Sequence, residues 1–244
     1  MRKVLVVGAH AADFVWRAGG TIAKTVEQGG EVLNLSLSYG ERGESGEIWK
    51  ENPNSSLEEV KALRREMSQA ASDILGCTYQ CLDWGDYPMV LNDERIQQLA
   101  DIIRSYKPNV ILTHTAQDPF NPDHPLAFQA VEKARLLSAG AGVAAAFERI
   151  DPPIWYSFEP HQPELSGFVP TTFVDITSVF EKKKAAMDCM KAQEYLKSYY
   201  TELGQRRGNH ARRISGKSHV KYAEAHQCMV PVVVDSIVPE IYFN

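Results

Sequence analysis

Between residues 4 and 137, short apolar runs alternate with longer stretches of helical periodicity, and this alternation constrains the fold more than any other feature. Residues 4–8 read as a buried strand. Phe14, Ala18, Ile22 and Val26 then recur at helical spacing until Gly29 and Gly30 stop them. Residues 32–38 form a second expected strand. Ser56 and Glu59 make a capping box that opens a helix running to about residue 75, where Gly76 closes it. Strand 78–82, helix 94–106, strand 110–113 and helix 125–137 complete the series. The order predicts an α/β fold, a Rossmann-like, doubly wound and mainly parallel sheet with helices on both faces. In such sheets ligands bind at the carboxyl ends of the strands. His10, Tyr39, Asp83 and His114 all follow expected strand ends and so belong to one rim.

From residue 139 the regularity weakens. SAGAGVAAAF is small and flexible, PPIWYSFEPHQPE is a strand running into a Pro-rich loop, and residues 173–176 are another short strand. One long amphipathic helix is expected over 178–203, followed by the Arg- and His-rich tail GQRRGNHARRISGKSHVKYAEAHQ and a final apolar run. No repeat, low-complexity segment or linker divides the sequence. A single domain over 1–244 is expected, with a core at 1–138 and a C-terminal elaboration at 139–244.

A formal net charge of -5 leaves no basic footprint for nucleic acid. EKKK, at 181–184, reads as a solvated helix face. No stretch approaches the roughly 18 apolar residues of a membrane span, and the N-terminal apolar segment is too short for a signal-peptide core. The expected compartment is the cytoplasm. Cys77, Cys81, Cys189 and Cys228 form no C-x-x-C pair and do not read as zinc ligands or a disulfide framework; Cys77 and Cys81, four apart across an expected strand, read as buried thiols.

Chemistry concentrates in two stretches. GAHAAD sets His10 and Asp13 at the turn after the first strand; THTAQDPFNPDHP sets His114, Asp118, Asp123 and His124 around the fourth strand's end. An imidazole and a carboxylate from one turn, plus an imidazole from another strand end, would give the three-ligand set of a catalytic zinc with an open position. The same residues also suit a hydrogen-bonded edge histidine and plain helix N-caps at Asp13 or Asp123. Between them lies YGERGESGEIWKENPNSS, too long for a plain connector and therefore a candidate active-site loop.

GAHxxD after the first strand, Gly40-Glu41 after the second, and PDHP about a hundred residues on resemble the PIG-L/LmbE family of zinc-dependent N-deacetylases over residues 1–135. The resemblance implies Zn2+ held by His10, Asp13 and His124. Two positions depart from the family's pattern. Ala12 stands where the deacetylases keep their general base, and Asn121 stands where they have a histidine. GAHAADFVWRAGG, LSYGERGESGEIWKE, THTAQDPFNPDHP, FEPHQPE and GNHARR together resemble the hydratase branch of that family, which acts on 4-oxalomesaconate. That narrower resemblance implies a small polycarboxylate substrate, addition of water across a conjugated C=C bond, and self-association as a homo-oligomer.

With Ala12 inert, the acid and base must come from the loop glutamates, Glu41, Glu44 and Glu47, or from EPHQPE with His161. Glu47 and His161 are the expected pair, with Glu44 next, against the alternative that loop acids are merely solvated. Arg42, Arg212 and Arg213 with His210 are the candidate carboxylate binders, since a guanidinium offers two parallel hydrogen bonds. Tyr39 and Asn121 are expected to line the pocket. His114 and Asp118 are expected behind the ligands, where an acid commonly orients a metal-bound imidazole. His219 and His226 read as structural or surface groups. Two further readings are a zinc N-deacetylase of an amino sugar and a metal-binding protein without catalysis.

Overall fold

The computed structural model describes residues 2–233. Its strands are β1 (Lys3–Gly8), β2 (Glu31–Ser36), β3 (Thr78–Cys81), β4 (Val110–Thr113), β5 (Ile154–Phe158), β6 (Thr172–Asp175) and β7 (Ala223–Cys228). They form one sheet in the order β3-β2-β1-β4-β5-β7-β6. β1 pairs in parallel with both β2 and β4, so that Val4 lies opposite Val32 on one side and Val110 on the other. From β1 the chain winds outward through β2 and β3; from β4 it winds the opposite way to β5. The crevice between the ends of β1 and β4 is therefore the topological switch point, where open α/β sheets bind ligands.

Side-chain alternation divides the core. Val6, Leu112 and Phe158 pack under α1 (Asp13–Glu27), α3 (Leu57–Leu75), α6 (Phe180–Asp188) and α7 (Leu196–Ser215). Leu5, Val7, Ile111 and Trp155 pack on the opposite face under α4 (Asp93–Tyr106) and α5 (Asp123–Ala139). The helix ends follow local chemistry: Ser56 and Glu59 complete the capping box of α3, and Gly76 ends it at φ 82°. The 39–56 segment is not all loop, because α2 (Gly46–Glu51) forms within it.

The C-terminal half departs most from expectation. The helix expected over 178–203 is two helices, α6 and α7, separated by a 3-10 turn at Lys191–Gln193. The Arg- and His-rich tail supplies the second half of α7 and then β7, which inserts antiparallel between β5 and β6. A Cβ at Gly208 would meet the Lys221 carbonyl oxygen at 2.1 Å, so only glycine lets α7 lie this close to the approach of β7. β7 is hidden in the sequence because its inward residues are polar. Glu224 accepts from the Gly20 amide at 2.8 Å, the Thr21 amide at 2.7 Å and Lys183 Nζ at 2.5 Å. That bond corrects the reading of EKKK: Lys183 is buried and Lys184 half-buried, although Lys182 remains exposed. The apolar run after β7 extends beyond the described residues. Among those residues, no helix is long and apolar enough to cross a membrane.

Candidate active site

At the end of β1 the chain turns into α1, which brings His10 over Asp13. Asp13 Oδ2 accepts from the His10 amide at 2.7 Å, and it lies 3.7 Å from His10 Nδ1. His124, in the first turn of α5, faces them from the other side of the switch point, its Nε2 3.7 Å from Asp13 Oδ1. All three side chains are buried. His114, at the end of β4, stacks on His124 with ring centroids 3.9 Å apart and places Nε2 3.0 Å from Asp13 Oδ2. Burial alone would raise the Asp13 carboxyl, but His114, His124 and His10 together hold it well below the usual carboxylate range. Burial and the neighbouring His114 push His124 well below an ordinary imidazole.

Each outer imidazole is oriented by its own acid. Asp123 Oδ2 lies 3.2 Å from His10 Nε2, and Asp118 Oδ2 lies 2.7 Å from His124 Nδ1. Asp123 is itself fixed by the backbone amides of Met89 at 3.0 Å and Tyr87 at 3.1 Å. A proton on the nitrogen that meets the carboxylate leaves the opposite lone pair free, the arrangement expected of metal-ligating histidines. The opposite nitrogens, His10 Nδ1 and His124 Nε2, are buried and have no hydrogen-bond partner among the described residues. Two buried, unpartnered lone pairs beside an ionised Asp13 fit a divalent cation. His10, Glu44 and His124, and likewise Asp13, His114 and His124, each bring three ligand atoms within 4.8 Å of one another. His114 Nε2 is already shared between Asp13 and the Ala9 amide, 3.0 Å away. His10, Asp13 and His124 are accordingly the set best prepared to hold a metal, with Glu44 at its edge.

Above this cluster opens a cavity of about 500 Å³ whose walls include Asp13, Arg17, Glu44, Asn121, His161 and Tyr200. Glu44 reaches it because the loop after β2 is tightly folded. Gly40 adopts φ 69°, the Glu44 amide and the Ser45 hydroxyl both donate to its carbonyl, and the amides of Arg42 and Gly43 donate to Asp86. The carboxylate is clamped by two amides, with Oε1 accepting from Asn121 Nδ2 at 2.7 Å and Oε2 from Gln193 Nε2 at 2.5 Å. Oε1 lies 4.0 Å from His10 Nδ1. His161, on the loop after β5, puts Nε2 3.0 Å from the Tyr200 hydroxyl, while its carbonyl accepts from Tyr199 at 2.7 Å. Burial, followed by the nearby Arg17, pushes the His161 imidazole down to about 4, so it is neutral near pH 7.

Residues 5–135 match the PIG-L family, GlcNAc-PI de-N-acetylase. The chain is 43% identical over 239 residues to a 4-oxalmesaconate hydratase of Pseudomonas putida, a match covering 97% of this chain and 92% of that protein. The chain belongs to the PIG-L family. It is also 29% identical over 205 residues to the diacetylchitobiose deacetylase of Thermococcus kodakarensis, covering 79% of this chain and 70% of that one. The crystal structure of the 4-carboxy-2-hydroxymuconate hydratase of Pseudomonas putida superposes with a TM-score of 0.93 at 43% identity, covering 98% of this chain and 100% of that one.

Within this PIG-L fold, several residues expected at the site lie elsewhere. Glu47 sits on α2 outside the cavity walls, partly exposed and paired with Lys50 at 2.6 Å. Tyr39 is drawn against α3, where its carbonyl accepts from Arg64 Nε and its hydroxyl from Arg65 Nε, both at 3.0 Å. Arg42 turns away to Glu41 and the Asp86 carbonyl, at 3.2 Å and 3.1 Å. His210 is exposed beside Arg207, Arg212 donates to Asn209, and Arg213 faces solvent, because this part of α7 turns Arg207, Gly208 and Ala211 inward instead. Asp83 pairs with Lys61 on the surface. Ala12 packs into the apolar cluster with Phe14 and Val15. The sequence reading passed over Arg17, Gln193 and Tyr200. Of these only Arg17 carried a signal: four residues after Asp13, it shares that residue's helical face.

Proposed function

We propose that the chain is a zinc-dependent hydratase that adds water to the conjugated C=C bond of 4-oxalomesaconate, giving 4-carboxy-4-hydroxy-2-oxoadipate in gallate and protocatechuate breakdown. The observation that carries the reading is the pairing of Glu44 and His161 on one cavity in a fold where the deacetylase base position is Ala12. Its likeness to the 4-oxalmesaconate hydratase, spanning nearly the whole of both chains, supports the same conclusion.

His10, Asp13 and His124 would hold the zinc, which when bound supplies a Lewis acid for a carbonyl or carboxylate oxygen of the substrate. The chain's own groups handle the protons. Glu44, clamped by Asn121 and Gln193, would take the proton that water loses as it adds to the double bond. His161 works on the carbon side. In the dehydration direction its neutral imidazole takes the proton from the carbon next to the carbonyl; in hydration the imidazolium returns it. Each such transfer is worth about 10²–10⁴ in rate. Burial keeps His161 unprotonated in the resting site, the state that dehydration uses directly, so in hydration the imidazole first takes up a proton from solvent as the anionic substrate binds beside it. As its resemblance implies, the enzyme would act as a homo-oligomer, which sedimentation would check.

Incubating the zinc-loaded protein with 4-oxalomesaconate and, separately, with an N-acetylglucosamine substrate tests the reading. Loss of the conjugated chromophore is expected, without acetate release from the sugar. Acetate release with the chromophore untouched would reverse the assignment.

A further inference from the structure

The substrate class proposed above carries several carboxylates, and the cations expected to bind them lie off the cavity. The carboxylates Asp13, Glu44 and Asp118 line it, and among its described lining residues Arg17 is the one Lys or Arg. Arg17 is only 4% exposed, so its charge has been brought indoors. Such burial is costly unless the guanidinium is paired.

Its pairing within the chain is incomplete. Arg17 Nε lies 3.5 Å from Asp13 Oδ1, and Nη1 donates to the Glu159 carbonyl at 3.1 Å. The carboxylate of Glu159 is taken by Arg207, which binds one oxygen through Nε at 2.8 Å and the other through Nη2. Arg17 Nη2 has no partner among the described residues, yet it is not one of the sealed, unsatisfied buried atoms. It therefore opens onto accessible space, in a residue that forms the wall of this cavity and of a smaller one shared with Glu159 and Arg207. The guanidinium is also braced, its carbon 5.8 Å from the Phe158 ring centroid. A guanidinium held at one edge and free at the other presents a ready half of a carboxylate fork.

We infer that Arg17 receives a carboxylate of the substrate and sets the enzyme's preference for polycarboxylates over neutral compounds. Arg207 serves it as a positioning residue: by engaging the Glu159 carboxylate it leaves the charge of Arg17 available to the ligand. The assignment rests on the hydratase reading for the identity of the substrate, but not for the class of ligand.

The test uses the full-length, zinc-loaded protein and two variants, Arg17→Gln and Arg17→Lys, each checked for metal content and melting temperature. Binding of tricarballylate, a saturated tricarboxylate, is measured by calorimetry alongside the kinetics of 4-oxalomesaconate. Arg17→Gln is expected to weaken tricarballylate and raise KM by about 10²-fold, the scale for truncating one partner of a buried charge pair, with a smaller change in kcat. Arg17→Lys retains charge without the fork and should fall between the two; it also decides the matter if the glutamine variant does not fold. Unchanged tricarballylate affinity in a folded, metal-replete variant would overturn the inference, as would a wild-type protein that binds no polycarboxylate. A wild type that binds tricarballylate through Arg17 but leaves 4-oxalomesaconate unchanged would instead overturn the hydratase reading alone.

Discussion

Asp118 Oδ2 lies 2.7 Å from His124 Nδ1, and the opposite ring nitrogen stands 3.7 Å from Asp13 Oδ1. Burial alone would raise the Asp118 carboxyl, but the His124 contact outweighs it and holds the group at about 2. The acid thus stays ionised and fixes the imidazole tautomer that offers Nε2 to a metal. Asp118→Asn should weaken zinc binding by about 10–100-fold, the usual cost of losing such an outer partner. Competition against a chromophoric chelator reads this directly. An unchanged affinity would remove Asp118 from the role.

Two glutamates three residues apart give the sharpest contrast in activity. Glu44 is clamped in the cavity wall, whereas Glu47 pairs with Lys50 on a partly exposed surface, where an ion pair contributes little. Glu44→Gln should lower kcat by about 10²–10⁴, and Glu47→Gln should leave it close to wild type. Steady-state kinetics on both variants, with zinc content measured in each, distinguish proton transfer from metal loss. Equal effects of the two substitutions would refute the distinction.

That contrast also marks how far the sequence could be read. Periodicity located β1 to β4 with α1, α3 and α4 between them, because short apolar strands and amphipathic helices carry strong local signals, whereas the six-residue α2 inside the loop carries none. His10, Asp13 and His124 were named as a set through the family resemblance, since spacing alone also suited an edge histidine and helix N-caps; in the fold each follows a strand end or opens a helix at the switch point. Which loop glutamate enters the cavity was not, since it depends on the left-handed turn at Gly40 and on Asp86, 42 residues after Glu44, receiving the loop amides. The arginines were misjudged for a similar reason. Density along the sequence favoured Arg212 and Arg213, but the geometry of α7 sends them to solvent and leaves Arg17 on the cavity wall. β7 escaped notice because Glu224 and His226 are buried polar residues whose partners, Gly20, Thr21 and Lys183, lie far away in sequence.

Tyr200 orients His161 without needing to touch substrate. Its hydroxyl is 3.0 Å from His161 Nε2, its ring stacks on Trp16 with centroids 5.6 Å apart, and burial pushes its own ionisation far up, so it stays a neutral phenol. Tyr200→Phe keeps the packing and removes the bond. It should lower kcat by about tenfold, the order of one net hydrogen bond, while leaving KM and zinc content near wild type. A rise in KM with kcat unchanged would place the hydroxyl on the substrate instead.

Acid should destabilise the fold through His226, which belongs to neither candidate metal-ligand group. The residue is 2% exposed, its Nε2 is 2.8 Å from Thr21 Oγ1, and burial pushes its imidazole from 6.5 down to about 4. Glu224 beside it favours the charged form, Lys183 opposes it, and burial dominates. Between those two values the unfolded chain binds the proton and the folded chain does not, so stability rises with pH across the window. The contribution is complete above about pH 6.5 and is lost progressively as pH falls toward 4. At about 1.4 kcal/mol per pH unit it amounts to roughly 3 kcal/mol in all, of which about 2 is lost by pH 5. His161 is depressed in the same direction and remains in both proteins, so comparing wild type with His226→Gln isolates the one group. Urea denaturation of the metal-stripped proteins at pH 7 and pH 5 should show wild type losing about 2 kcal/mol more than the variant. Equal losses would mean that His226 is not held neutral by burial.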